Sequence, residues 1–192
     1  MKTLLITGFD SFNGQAVNPS WEAVKRLPET VGDYVLCKLQ IPTRYADAPQ
    51  IVLEKASQLH PDVILSIGQA GGRDAVTPER IAVNIRDARI ADNSGTVHSG
   101  DRIAPAGPAA YFATVPVKAM AEAIRNIQVP AAVSNTAGTY VCNDVLYTLL
   151  HHYAVTCVRV GFIHVPYLPE QGTPNLPLAD TIRALEAAIL AL

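Results

Sequence analysis

The sequence predicts an α/β sandwich built on a largely parallel sheet with both faces covered. Short apolar, β-branched runs alternate with stretches of helical periodicity, the pattern of strands separated by crossover helices. The chain is 49% apolar and only 17% charged, which supplies a generous core. Its 192 residues contain no repeat, linker or low-complexity tract, so one domain over residues 1–192 is expected.

Residues 3–7 read as a buried first strand. The apolar run stops at Gly8, too short for a signal peptide. Asn18-Pro19-Ser20 then sets a capping Asn and a Pro at the start of a helix with the stripe Trp21, Val24 and Leu27. Further strand-like runs fall at 34–41, 62–67, 81–85, 131–134 and 158–164. Helices are expected at 46–59 and 117–127. Ile182, Leu185, Ala188, Ile189 and Leu192 face inward from a closing amphipathic helix. Residues 69–78 and 91–108 are rich in Gly, Pro, Asp and Asn. Loops this long usually carry function or an interface.

A net charge of −2 offers no basic surface, which argues against nucleic acid or an anionic membrane as partners. No stretch approaches the apolar length that spans a bilayer. Cys37, Cys142 and Cys157 are odd in number and lack metal-ligand spacing. They point to a reducing cytosol with at least one free thiol. Cys157, at the start of a strand, reads as structural.

The sharpest local feature is Ser134-Asn135-Thr136-Ala137-Gly138-Thr139-Tyr140-Val141-Cys142-Asn143-Asp144. A strand ends near Ser134, a small-residue loop follows, and a helix begins around Cys142 with Val145, Leu146, Leu149 and Leu150 on one face. A thiol in that first turn lies beside free backbone N–H groups and the positive end of the helix dipole. Both favour the thiolate and an oxyanion. A buried core cysteine fits the position equally well.

His164, at the end of a strand, is the candidate base, because ligand crevices of open α/β sheets lie at the carboxyl ends of strands. His60, His98, His151 and His152 compete. Glu79 is the candidate for orienting the imidazole, provided the run from Ile81 turns back antiparallel. A salt bridge to Arg73 or Arg80 is its alternative role, and Asp87 and Asp92 are rivals. Phe9 and Phe12 offer an apolar slot for a flat, uncharged ring, or are plain core residues. The glycine-rich residues 8–14 and 68–73 lack a P-loop Lys and dinucleotide spacing, so the phosphate signal is weak.

Taken together, several stretches resemble the pyroglutamyl-peptidase I family of cysteine peptidases. They are Gly8-Phe9-Asp10-Ser11-Phe12, Asn18-Pro19-Ser20-Trp21, Gly68-Gln69-Ala70-Gly71-Gly72-Arg73, residues 77–84 and 87–95, residues 134–143, and residues 161–171. The resemblance implies a three-layer α/β/α sandwich with a mixed, mostly parallel twisted sheet. It also implies a catalytic set of Cys142, His164 and Glu79, no cofactor or metal, and a cytoplasmic homotetramer acting on peptides with N-terminal pyroglutamate. The family's pocket falls on Phe9, Phe12, Gln69 and Tyr140, with Arg89 and Ile90 beside the nucleophile. Three positions depart from the family: Ser11 for a frequent proline, Tyr140 for phenylalanine, and Asp144 for histidine. Asp144 is expected to oppose the thiolate. Two competing readings are a nucleoside phosphorylase or hydrolase, and a ligand-binding protein with a merely buried thiol.

Overall fold

The computed structural model describes residues 1–45 and 47–192. The chain runs through β1 (Lys2–Phe9), α1 (Pro19–Val24), β2 (Thr30–Val31), β3 (Tyr34–Ile41), α2 (Ala48–Leu59), β4 (Val63–Gln69) and β5 (Thr77–Pro78). It continues through β6 (Ile81–Val83), β7 (Arg86–Asp87), β8 (Ser99–Asp101), β9 (Ala110–Phe112), α3 (Val117–Asn126), α4 (Val141–His152), β10 (Arg159–Val165) and α5 (Leu178–Leu190). The first residue of the expected helix 46–59, Ala46, lies outside the described residues.

Six strands form the central sheet in the order β2-β3-β1-β4-β10-β5. Strands β3, β1, β4 and β10 are parallel, and short antiparallel strands close both edges. Side chains of the inner strands are buried on both faces, which is why these strands read as unbroken apolar runs. Strand parity sorts them into two cores. Leu4, Ile6, Leu65, Ile67, Ile163 and Val165 meet α1, α3 and α5 on one side. Leu5, Phe9, Ile64, Val160 and Phe162 meet α2 and α4 on the other. The result is three layers, with two short hairpin-like ribbons (β6–β9 and β7–β8) beside the sheet.

The helix starts follow their sequence signals. Asn18 caps α1 through its side-chain oxygen, which accepts from the Ser20 N–H at 3.1 Å, and Pro19 is the first helical residue. Helix α1 lies so close to β1 that a Cβ on Gly8 would come within 2.7 Å of the Trp21 Cα. Only glycine fits there.

Two expected strands are corrected. Residues 81–85 yield only β6, which leaves the main sheet to pair with β9. Residues 131–134 form two isolated bridges, Val76 to Ala131 and Glu79 to Ser134. They follow the short edge strand β5, whose two residues give no continuous ladder to pair with. Both long loops also contain a strand, β5 in the first and β8 in the second. Cys157 is exposed and precedes β10 by two residues, so it serves no core packing.

Candidate active site

Helix α4 begins over the carboxyl ends of β4 and β10. Its N-terminal residues are Val141 and Cys142, and no side chain caps them. The buried Asn143 fixes this end of the helix. Its amide oxygen accepts from the Val83 N–H at 2.9 Å, and its nitrogen donates to the carbonyls of Val83 and Ile85 at 2.8 and 3.1 Å. An amide that makes these bonds extends the ladder of β6 and ties the helix to it.

His164, the last residue but one of β10, is in register with Gly68 of β4, roughly one strand spacing (about 4.8 Å) away. A Cβ on Gly68 would stand 2.9 Å from Cys142 Sγ and 2.7 Å from the Phe162 ring. The bare glycine therefore makes the space that the sulfur occupies, one strand over from His164. Gly68→Ala is expected to push the thiol out of line and lower kcat by about 10²-fold. The same methyl should cost about 1–3 kcal/mol of stability by overpacking. Steady-state kinetics alongside thermal melts check both.

On its other side, His164 Nδ1 lies 2.7 Å from Glu79 Oε1. A carboxylate there keeps the proton on Nδ1 and leaves Nε2 as the free base. Glu79 is held at the edge of β10 because its N–H donates to the Phe162 carbonyl at 2.9 Å. The antiparallel turn needed to bring Glu79 to this edge is supplied by β5. Glu79 also pairs with Arg73 at 2.6 Å, so the two roles considered for it coexist.

Burial raises the Glu79 carboxyl, but the His164 hydrogen bond and charge, with Ser134 and Arg73, outweigh it and hold the group below the usual carboxylate range. Burial lowers His164, and it outweighs the opposing pull of Glu79. Burial also pushes the Cys142 thiol up to about 12, helped by the Glu79 charge and opposed by Arg73 and its own backbone N–H. Cys142 is only partly buried and lines a cavity. The resting pair is a thiol beside a neutral imidazole. Desolvation of the sulfur thus opposes the help that the helix end gives the thiolate.

This small cavity opens on the sulfur, lined by Phe9, Phe12, Asn18, Thr43, Gln69, Tyr140 and Cys142. The rings of Phe12 and Tyr140 face each other at 6.0 Å, and Tyr45 meets Tyr140 edge-on at 5.5 Å. The Tyr140 hydroxyl donates to the Ala91 carbonyl at 3.0 Å, so the extra oxygen is satisfied. Asn18 and Thr43 escaped the sequence reading. Thr43 follows the carboxyl end of β3 and was findable by the strand-end rule, whereas Asn18 was explained by its cap.

Other expected residues fall elsewhere. Arg89 and Ile90 are exposed on the strap after β7 and are not among the cavity-lining residues. Asp144 is fully buried and bridged by Arg86 at 2.8 Å, so its charge is met by a partner rather than set against the sulfur. Burial still raises its carboxyl, to about 6. Asp92 accepts from the N–H groups of Tyr45, Ser94 and Thr96, and Asp87 is exposed. Of the competing histidines, His60 caps α2, His98 pairs with Asp101, and His151 meets the Tyr111 hydroxyl.

A family model described as pyroglutamyl peptidase matches residues 1–192. The chain belongs to the pyroglutamyl peptidase family. It is 50% identical over 196 residues to a pyrrolidone-carboxylate peptidase of Levilactobacillus brevis, covering 98% of this chain and 96% of that one. The crystal structure of pyroglutamyl peptidase I from Bacillus amyloliquefaciens superposes with a TM-score of 0.96 at 43% identity, over 99% of this chain and 94% of that one. Pyrrolidone carboxyl peptidase from Thermococcus litoralis gives 0.95 at 34% identity, over 100% and 93%. The three-layer arrangement is thus a pyroglutamyl peptidase fold. Among the described residues, no helix is long and apolar enough to cross a membrane.

Proposed function

We propose that Cys142, His164 and Glu79 are the catalytic set with which this pyroglutamyl peptidase removes N-terminal pyroglutamate from peptides. The observation that carries the assignment is the bare Gly68: it leaves room for the Cys142 sulfur and stands in register with His164, whose imidazole Glu79 orients. His164 Nε2 takes the thiol proton as sulfur bonds to the pyroglutamyl carbonyl carbon. The uncapped N–H groups at the start of α4 receive the oxyanion. The carbon–nitrogen bond then breaks as His164 returns the proton to the leaving amine. Water, deprotonated by His164, releases pyroglutamate from the thioester. Burial favours the neutral thiol and the neutral imidazole, which suits His164 to act as general base during attack.

The slot of Phe9, Phe12 and Tyr140 is walled by rings with no carboxylate among its lining residues. It suits a lactam, whose nitrogen is uncharged, and penalises an ammonium group left without a counter-charge. A chromogenic pyroglutamyl amide is expected to be cleaved at least about 10²-fold faster than its free glutaminyl counterpart. Alkylation of Cys142 should abolish both reactions. Equal cleavage of the two amides, or activity that survives alkylation, would overturn the assignment.

The same reading takes residues 1–192 as one catalytic domain working without cofactor as a cytoplasmic homotetramer. The family match over residues 1–192 supports the first part. Free thiols at Cys37, Cys142 and Cys157 suit a reducing compartment. An apolar hollow at Phe112, Leu150, Tyr153 and Val158, with Phe112 69% exposed, is the kind of surface that assembly covers.

A further inference from the structure

Arg73 joins three segments around the reacting groups. From the loop after β4, its Nη1 donates to Glu79 Oε1 at 2.6 Å and to Thr77 Oγ1 at 2.5 Å. Its Nη2 donates to the Thr136 carbonyl at 2.9 Å, in the loop that enters α4. Glu79 Oε1 is therefore shared between imidazole and guanidinium, while Oε2 is buried with no hydrogen-bond partner among the described residues. Glu79 has no solvent exposure and the Arg73 side chain only 27%. An ion pair with one dry partner is geometrically stricter than a surface pair, because water cannot replace a lost bond.

We propose that Arg73 is a positioning residue for hydrolysis: its guanidinium holds the Glu79 carboxylate against His164 and pins the Glu79 loop to the loop that delivers Cys142. This rests on the catalytic assignment above. A planar fork can hold a carboxylate and a carbonyl on separate nitrogens, which a single ammonium cannot do in the same geometry. The cation also acts on the neighbouring protons. It lowers the proton affinity of His164 and Cys142 and helps keep Glu79 ionised.

Arg73→Met is expected to lower kcat on a pyroglutamyl amide by about 10²-fold, with KM near wild type. Its acid limb of kcat/KM should move to higher pH, because Glu79, His164 and Cys142 hold their protons more tightly without the cation. Arg73→Lys should restore the position of that limb but only part of kcat. The rate of iodoacetamide alkylation of Cys142 against pH reads the thiol separately, even where hydrolysis is too slow to follow. Wild-type kcat in Arg73→Met, or a loss with no shift of the acid limb, overturns the proposal. Full wild-type kcat in Arg73→Lys overturns the pinning, and decides the matter if Arg73→Met does not fold. Failure of the catalytic assignment itself looks different, since His164→Ala would then remain active whatever Arg73 does.

Discussion

Cys142→Ser is expected to reduce pyroglutamyl amide hydrolysis to background, and His164→Ala to lower kcat by about 10²–10⁴-fold. The two effects have different origins. Serine keeps nearly the same shape beside Gly68, but its hydroxyl holds its proton more tightly than a thiol, and a neutral imidazole is too weak a base to compensate. Alanine at 164 leaves the sulfur in place with no acceptor for its proton. Since burial pushes the thiol up, ionisation of the sulfur without the imidazole is disfavoured. The double variant should therefore be hardly worse than Cys142→Ser, because the two groups act as a unit. Kinetics of the three variants check this. Substantial activity in Cys142→Ser would contradict it.

Glu79→Gln carries the second large effect. The carboxylate at 2.7 Å from His164 Nδ1 fixes the tautomer and compensates the imidazolium that forms during attack. In the Ser-His-Asp template, the corresponding amide substitution lowers kcat by about 10⁴-fold. A loss in that range is expected here, with KM little changed. The amide also leaves Arg73 facing a neutral group. The Glu79 carboxyl sits below its usual range, so its ionised form is retained through mildly acidic pH. On acidification, wild-type activity should therefore fall as the His164–Glu79 pair takes up a proton, below the usual imidazole range. A Glu79→Gln variant within about tenfold of wild type would show that the imidazole is oriented by something else.

Much of the frame was legible because burial on both faces leaves an unbroken apolar run. The half-exposed strand 34–41, with Lys38 and Gln40 in it, matches its expected bounds through its aromatic and aliphatic content instead, and the Asn18-Pro19 start of α1 is a purely local signal. The pieces that misled lie at the edge of the sheet. Residues 131–134 carry an apolar pattern but meet only a two-residue strand, while Ser99-Gly100-Asp101 pair without any β-branched signal. Cys142, His164 and Glu79 were readable from strand ends and one helix start. Their surroundings were less so. The Arg73–Glu79 pair was readable from their closeness in sequence, but Arg86 reaches Asp144 from 58 residues away, and no sequence spacing encodes such a pair. The protonation of Cys142 depends on how much water the folded loops remove, which a helix-end argument does not contain.

The sulfur's role is tested most directly by catching the acyl group on it. Wild-type enzyme mixed with excess pyroglutamyl ester, quenched in acid within milliseconds and digested, should yield one peptide heavier by a single pyroglutamyl unit, and that peptide should contain Cys142. An adduct on another residue, or turnover with only unmodified Cys142 recovered while product accumulates in a burst, would contradict nucleophilic attack by Cys142.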